Sequence, residues 1–410
     1  MAKRTVSVGS MDSPALTYLG LIRKRISAIR KDVPALIEMG QRMAKSLLGG
    51  CDCYTPVVSP FWQDEWMWRA GGLMGLKPPG YVARSRKDTA YFALPGRPDW
   101  DPKKDAALQA LVKGKAQLFV IGRPDELKGA APTSRFAGFT GGVSRDLGLY
   151  RLGQWRPLAP VRPFDQVVRG WIVTGEMISA CIRAGRMPIL WMSIWLEGAM
   201  VRNYLFNKHN NLSEPWLVPL FHEDQYIPPL EPGYAAQEYL REVEKIAGSL
   251  ETQAGTLAKA GQWMAEASRA GRRPWTMTID HSYPKILELP AGTEYPLEWS
   301  TPNSNLKTAV PDRFGRGDLA IHMGYSPVNV ADVGRILKRG IRFVYTTPYG
   351  RPAALKDHPN LLWLDLPWRP TDATVDIPAY SVRMLPMSST AHTMGYFAIL
   401  CEMAERMNWR

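Results

Sequence analysis

Cysteine is scarce in this chain: four in 410 residues, two of them in Cys51-Asp52-Cys53. So few cannot frame a chain of this length with disulfides, so a stapled secreted scaffold is excluded and the usage fits a reducing cytosol. Histidine is little commoner, at six, and no second Cys/His pair stands near Cys51 and Cys53 at finger spacing. That pair reads as small buried hydrophobes, and no metal or other cofactor is implied. Long apolar runs are missing as well. No stretch reaches the roughly 18 uncharged apolar residues that span a bilayer, and Met1 to Ser13 lacks an apolar core of signal-peptide length. The expectation is a cytoplasmic protein without a membrane partner. Runs of one charge are also absent. Lys and Arg outnumber Asp and Glu by 51 to 38, a net charge of +13, but the basic residues are scattered. Short clusters such as Lys103-Lys104 and Arg272-Arg273 are not interleaved with aromatics as a nucleic-acid groove requires, so nucleic acid is not an expected partner. The surplus leaves phosphorylated small molecules open. The remaining composition, 45% hydrophobic and 22% charged with 35 Gly and 34 Pro spread along the chain, is that of a folded protein of about two or three domains.

Laid on itself, the chain shows a duplication. Tyr18-Leu19 opens an amphipathic run with Ile22, Ile26, Ile29, Val33, Leu36, Ile37 and Met43 on its apolar face; Tyr239-Leu240 opens another with Val243, Ile246, Leu250, Leu257 and Met264. Both runs predict helices. Each contains a near-identical pentapeptide, Gly40-Gln-Arg-Met-Ala44 and Gly261-Gln-Trp-Met-Ala265, at the same offset of 221 residues. Each meets a glycine able to end it in the left-handed conformation, Gly49-Gly50 and Gly271, and each is followed by a strand-like segment, Cys53 to Ser59 and Trp275 to Asp280. A Ser and, six positions on, a Glu come next in both: Ser59 and Glu65, Ser282 and Glu288. Further along, Asp318 to Met323, Val330 to Lys338 and Arg342 to Thr346 read as strand, helix and strand, a βαβ unit. A looser echo is expected in Gly170 to Gly175 as strand, Ile178 to Arg183 as helix and Pro188 to Ser193 as strand. Between Gly75 and Asp165 only Gln117 to Gly122 reads as a strand. A duplicated α/β chain follows, with a first domain at 1–206, a proline-rich link at 207–234 and a second domain at 235–410.

In parallel sheets, ligands bind where strand C-termini meet helix N-termini, because backbone N–H groups and the helix dipole favour anions there. Ser59, Ser282, Ser326 and Asn329 fall at such loops, and Ser388-Ser389-Thr390 precede the last helix. Each can be a helix cap as readily as a ligand. At these residues the chain resembles the SIS (sugar isomerase) domain family. The ending Thr371-Asp-Ala-Thr-Val-Asp-Ile-Pro378, Val382-Arg-Met-Leu-Pro386-Met-Ser388-Ser-Thr390 and the helix to Met407 is similar to the family's G-D-A-x-V-x-I-P, V-x-x-x-P-x-S-[ST] and apolar last helix. Glu65-Trp-Met-Trp-Arg69-Ala-Gly-Gly-Leu73 is similar to the E-x-x-x-R-A-G-G-L of one branch. The usual S-x-S-G-x-[TN] loop is here Gly324-Tyr-Ser326-Pro-Val-Asn329, and in the first half the corresponding loop is expected at Thr174-Gly175-Glu176, too short to hold a phosphate.

The resemblance implies an α/β fold of two tandem SIS-like three-layer αβα domains with parallel sheets, related by a pseudo-two-fold. It also implies a phosphorylated sugar as ligand, taken by Ser282, His281, Ser326, Asn329, Ser388, Ser389, Thr390 and Ser59, and a homodimer or higher homo-oligomer. Aldose–ketose isomerisation needs a carboxylate base to form an enediol and an acid/base to open the ring. The resemblance places Glu288 and Glu65 as the carboxylates and His392 as the second group. A first-turn Glu stabilising its helix, and a buried His at a helix start, are the alternative readings of those residues. Non-catalytic phosphosugar binding or regulation is the alternative function. His322 flanks the same loops, and the Trp62, Trp66, Trp68 cluster reads either as a sugar-stacking face or as core.

Overall fold

The computed structural model describes residues 13–77, 80–95, 100–144, 150–152, 156–206, 219–278, 298–299, 310–356 and 358–408. Ser13 as N-cap, its Oγ accepting from the Leu16 N–H at 3.4 Å, and Pro14 at the first position start α1 (Pro14–Leu48). The helix stops where the glycine pair predicts, Gly50 taking φ +76°. A parallel sheet follows, β1 (Cys53–Tyr54), β2 (Thr89–Ala93), β3 (Gln117–Ile121) and β4 (Phe136–Phe139), in the order β1-β2-β3-β4. Its crossovers contain α2 (Pro60–Trp66) and α3 (Ala106–Lys113). Lys77 pairs in parallel with Tyr54 on the other side of β1, its N–H donating to the Cys53 carbonyl at 2.8 Å. Beyond the hairpin β5 (Tyr150–Leu152) and β6 (Arg156–Leu158) come α4 (Arg162–Arg183) and α5 (Ala199–Phe206).

The second half opens with α6 (Tyr234–Thr252) and α7 (Ala254–Arg269), the predicted helix interrupted at Gln253. A five-stranded parallel sheet is built from β7 (Trp275–Thr278), β8 (Glu298–Trp299), β9 (Leu319–Met323), β10 (Arg342–Thr347) and β11 (Leu361–Asp365), with α8 (Val330–Lys338) crossing from β9 to β10. The hairpin β12 (Ala373–Val375) and β13 (Met384–Pro386) leads into α9 (Ser388–Arg406). The strand order is β8-β7-β9-β10-β11. With Lys77 counted as an edge, the first sheet runs in the same sense. In both, the first strand lies one in from the edge, the doubly wound order in which ligands bind beside that strand at the C-terminal end.

The halves share one interior. A single apolar core runs from Leu118 and Val120 of the first sheet, through α1, α4, α6, α7 and α9, to Ile321 and Val344 of the second. A smaller core with Val333, Ile336 and Phe343 covers the second sheet's other face. The duplicated sequence becomes reciprocal contact here. Glu402 of α9 accepts from the Ala15 N–H at 3.1 Å, at the start of α1, and Glu176 of α4 accepts from the Ala236 N–H at 3.1 Å, at the start of α6. Each half thus caps the other half's first helix with a carboxylate, where the dipole favours it. Burial is the main influence on Glu176 and holds its pKa above the usual carboxylate value, against the pull of its backbone hydrogen bonds.

The repeated pentapeptide marks two helix crossings. A Cβ at Gly40 would stand 2.8 Å from both the Met177 nitrogen and the Val173 oxygen of α4, and one at Gly261 would stand 2.3 Å from Glu402 Cβ and 2.9 Å from the Met403 nitrogen of α9. Backbone atoms cannot rotate away, so the helices must separate. Gly40→Ala and Gly261→Ala are each expected to lower stability by about 1–3 kcal/mol, read as an earlier urea midpoint; unchanged midpoints would show that the crossings have slack.

Four expectations are corrected. Gly170 to Gly175 is not a strand and Thr174-Gly175-Glu176 is not a loop, since all lie inside α4. That helix is buried on nearly every side, and its polar residues Arg162, Asp165, Gln166, Arg169 and Glu176 recur at helical spacing; only its short apolar stretch Trp171-Ile-Val173, taken alone, mimics a buried strand. Pro188 to Ser193 is extended but makes only isolated bridges, Leu73 with Leu190 and Pro188 with Phe221. The first half's real βαβ unit is β2-α3-β3, within the stretch read as loops.

Candidate functional site at the seam of the two halves

Arg69 stands at the centre. Glu65 lies near the end of α2, and Arg69, four residues on, folds back over it: Arg69 Nη1 donates to Glu65 Oε2 at 2.8 Å. The rest of the guanidinium reaches the second half, Nη1 to Ser389 Oγ at 2.6 Å, and Nη2 to Ser388 Oγ at 2.9 Å and Asp372 Oδ2 at 3.0 Å. Ser389 Oγ donates to Glu65 Oε2 at 2.6 Å and Trp171 Nε1 donates to Glu65 Oε1 at 2.7 Å. Burial alone would depress the Arg69 pKa, but Asp372 and Glu65 outweigh it and hold the value above the ordinary one. Asp372 also caps α9, Oδ1 accepting from the Ser388 N–H at 2.8 Å and the Met387 N–H at 3.2 Å. Thr390 Oγ1 shares a 2.9 Å hydrogen bond with the Tyr239 hydroxyl. Ser388, Ser389 and Thr390 are thus the first turn of α9 rather than its cap, which is Met387.

Next to this network lie two histidines. His392, one turn into α9, stands edge-on to Trp368 with ring centroids 5.4 Å apart. Burial pushes its pKa down to about 3, helped by His322 and Arg69 and opposed by a hydrogen bond with the Gly324 backbone. His322, on β9, lies flat against Tyr345 at 4.0 Å, and burial pushes its pKa down to about 4. Its Nδ1 is 3.1 Å from the Thr346 carbonyl, an acceptor, so Nδ1 carries the proton and Nε2 is a bare lone pair. Among the described residues, His322 Nε2, His392 Nε2, Arg69 Nε and Trp368 Nε1 are all buried with no hydrogen-bond partner. Four such atoms in one neighbourhood call for a ligand or water, because each unpaired buried group costs about 1–3 kcal/mol.

Of the residues singled out from the sequence, Glu65, Ser388, Ser389 and His392 come together around Arg69. The loop from Gly324 to Asn329 reaches the same place through Gly324, on His392, and through buried Tyr325, close enough to interact with Arg69. In that loop Ser326 is buried, and Asn329 caps α8, accepting from the Asp332 N–H at 3.1 Å. Ser59 is the buried N-cap residue of α2 and makes no side-chain cap bond there. Ser282, His281 and Glu288 lie outside the described residues. Trp62 and Trp66 are core, packed on Tyr91 at 5.4 and 4.7 Å, whereas Trp68 is exposed. Sequence reasoning missed Asp372, Tyr239, Trp171 and Trp368 as site residues, and it quoted Arg69 without a role. The Arg-Ala-Gly-Gly signal was available: Gly71 has φ +79°, and a Cβ there would meet the Leu385 nitrogen at 2.7 Å, so the tetrapeptide is shaped to press Arg69 into the second half.

The matching edge of the first sheet is filled by protein groups. Asp165 on α4 accepts from Arg25, Arg169 and the Ser144 N–H at 2.7, 2.8 and 2.6 Å, and Gln166 Nε2 donates to the Leu94 carbonyl at 2.7 Å. Among the described residues, no group of three or more His, Cys, Asp or Glu side chains could hold a metal, and no helix is long and apolar enough to cross a membrane.

No protein-family model matches the chain, and no curated protein matches it in sequence. Among solved structures, it is similar to a protein named for sugar binding from Salmonella typhimurium LT2, at 12% identity and a TM-score of 0.45, over 94% of this chain and 98% of that one. It is also similar to one named as a phosphosugar isomerase from Silicibacter pomeroyi DSS-3, at 12% identity and a TM-score of 0.41, over the same shares. At such distance neither match says what this chain binds.

Proposed function

We propose that the chain binds a phosphorylated sugar at the C-terminal edge of the second sheet. The observation that carries the reading is the pair of neutral imidazoles, His322 and His392, with unpartnered Nε2 atoms beside the Gly324–Ser326 loop at the point where the strand order reverses. Bare imidazole nitrogens accept from hydroxyls, while Trp368 Nε1 and Arg69 Nε donate to them, the mixture a polyol needs. Ser326 and the loop amides would take the phosphate. Ser388, Ser389 and Thr390 contribute through Arg69 and Tyr239, which already hold their hydroxyls. The SIS resemblance supports the same ligand class.

Aldose–ketose isomerisation is the activity proposed for that site, with non-catalytic binding as its alternative. A base removes the C2 proton of the open-chain aldose, the electron pair forms the enediol, and a proton returned to C1 gives the ketose. Glu288 is the proposed base and neutral His392 the proposed shuttle between the oxygens. Glu65, both oxygens of which are hydrogen-bonded, is proposed to hold Arg69 and Ser389 in place.

A thermal-shift panel of sugar phosphates, followed by calorimetry, tests the binding. At least one compound is expected to stabilise the protein, and Ser326→Ala to weaken it by about tenfold, with Ser59→Ala weaker in effect. A panel without a shift defeats the reading. Deuterium incorporation at sugar C2 that is lost in Glu288→Gln separates catalysis from binding.

A further inference from the structure

Three arginines converge at the end of the second sheet opposite the proposed sugar site. Arg272 and Arg273 lie between α7 and β7, just past Gly271 (φ +68°), and Arg313 lies in the turn that leads into β9. Strands β7 and β9 are parallel, so both connections fall at the N-terminal edge. The five residues of β9 put roughly 16 Å between that edge and the Gly324 loop. With Gly271, Phe314 and Asp318, the three arginines line a cavity of about 340 Å³. Its walls are tied together. Arg339, just past α8, donates to the Val310, Pro311 and Phe314 carbonyls at 3.1, 2.6 and 2.6 Å. Asp318 joins the two connections, Oδ2 accepting from the Gly315 N–H at 2.8 Å and Oδ1 from Arg272 Nη1 at 3.1 Å. The Arg313 guanidinium lies over the Trp275 and Phe314 rings, 5.7 and 5.1 Å from their centroids.

We infer that this cavity is a second binding site, for a polyphosphate group. Among the described lining residues Asp318 is the one carboxylate, so it balances one guanidinium and leaves two positive charges in excess. Each guanidinium offers paired N–H donors that match phosphate oxygens two at a time. Three of them around one cavity suit an anion of several charges better than a carboxylate or a single phosphate. Gathering like charges costs energy in the empty protein, and here the anchored turn, the two rings and Asp318 hold them in place. A polyanion recovers that energy on binding without having to order the loops. The volume admits a diphosphate alone or a diphosphate carried on a nucleoside. Because the cavity lies at the other end of the strands, its ligand would not compete with a sugar phosphate.

Calorimetry of the full chain with inorganic pyrophosphate tests this, with ADP as a second arm. Pyrophosphate is expected to bind. Arg273→Gln combined with Arg313→Gln is expected to weaken it by about tenfold or more, while Ser326→Ala leaves it unchanged. Both substituted arginines are exposed, so the variant should fold. Should it fail to, the wild type gives an independent readout: pyrophosphate is expected to slow the labelling of Arg273 and Arg313 by phenylglyoxal severalfold, mapped by mass spectrometry. ADP bound more tightly than pyrophosphate assigns the site to a nucleoside diphosphate; equal or weaker binding assigns it to the free polyphosphate. Absence of pyrophosphate binding overturns the inference, as does an affinity that survives the double substitution or labelling that pyrophosphate does not slow. Pyrophosphate binding lost in Ser326→Ala instead would put the anion at the opposite edge, and overturns it too.

Discussion

Arg69→Met is expected to destabilise the protein by about 3–5 kcal/mol, the largest effect of any single substitution proposed for it. The substitution keeps most of the side-chain volume, so the cost comes from charge. Glu65 and Asp372, each with its side chain fully buried, would keep their other donors but lose the only cation that the described structure gives them. Ser388 and Ser389 would each lose a donor as well. The loss should fall on the joint between halves, since Arg69 belongs to one and three of its four partners to the other. For a chain of this size it corresponds to a fall in melting temperature of about 4–6 °C. Arg69→Lys should recover little, because one ammonium cannot donate forks to two carboxylates on opposite sides. Adding Glu65→Gln and Asp372→Asn to Arg69→Met should recover much of it, because the orphaned charges are then gone. A single Arg69→Met within about 1 kcal/mol of wild type, measured by urea unfolding, would show that the network contributes no more than a surface pair.

What the sequence made legible was the part written locally. Helix α1, the strand β9 with its crossover α8, and the glycine stops at Gly50 and Gly271 follow from 3.6-residue periodicity, short buried runs and left-handed glycine. The duplication was legible because Gly40 and Gly261 must both be glycine for the same steric reason. Helix α4 was misread. Its polar residues Arg162, Asp165, Gln166, Arg169 and Glu176 recur at helical spacing, but Trp171-Ile-Val-Thr174 between them has strand composition. The site was half legible for a related reason. Ser388, Ser389, Glu65 and His392 are short polar or titratable residues in positions that draw notice. Asp372 and Trp171 meet Arg69 and Glu65 across more than a hundred residues of chain, and no local pattern announces a partner that far away. The reciprocal caps Glu176 and Glu402 were invisible for the same reason: each looks like an ordinary helical glutamate until the other half's N-terminus is placed against it.

Acid should unfold this protein earlier than its carboxylates alone would require. His322 and His392 have pKa values pushed down to about 4 and about 3 by burial, from an ordinary value near 6.5. A group whose folded pKa is depressed contributes stability that is present above its unfolded pKa and lost as pH falls through the folded one. Below pH 6.5 the unfolded chain takes up protons that the folded chain refuses. Each such proton lowers stability by about 1.4 kcal/mol per pH unit, so the two histidines together impose a slope of about 3 kcal/mol per unit down to pH 4. His222, also lowered by its burial and by Arg202, adds in the same direction. Asp376 and Glu266, whose pKa values are held down in the fold, lose their contribution only further down, as the pH falls below the ordinary carboxylate range. Glu176, whose pKa burial raises in the fold, works in the opposite direction above the ordinary carboxylate range, so the interval from pH 6.5 to 5 reads the imidazoles against that one carboxyl. Urea unfolding across it should show stability falling with nearly two protons or more bound on unfolding, and His322→Gln and His392→Asn should each remove about one. The same depression keeps both Nε2 lone pairs available well below neutrality, so the hydroxyl-accepting character of the site should outlast the pH at which an ordinary imidazole would have protonated. Stability that stays flat between pH 6.5 and 5 would mean that both rings already accept a proton in the fold, and the proposed acceptor pair would be lost with it.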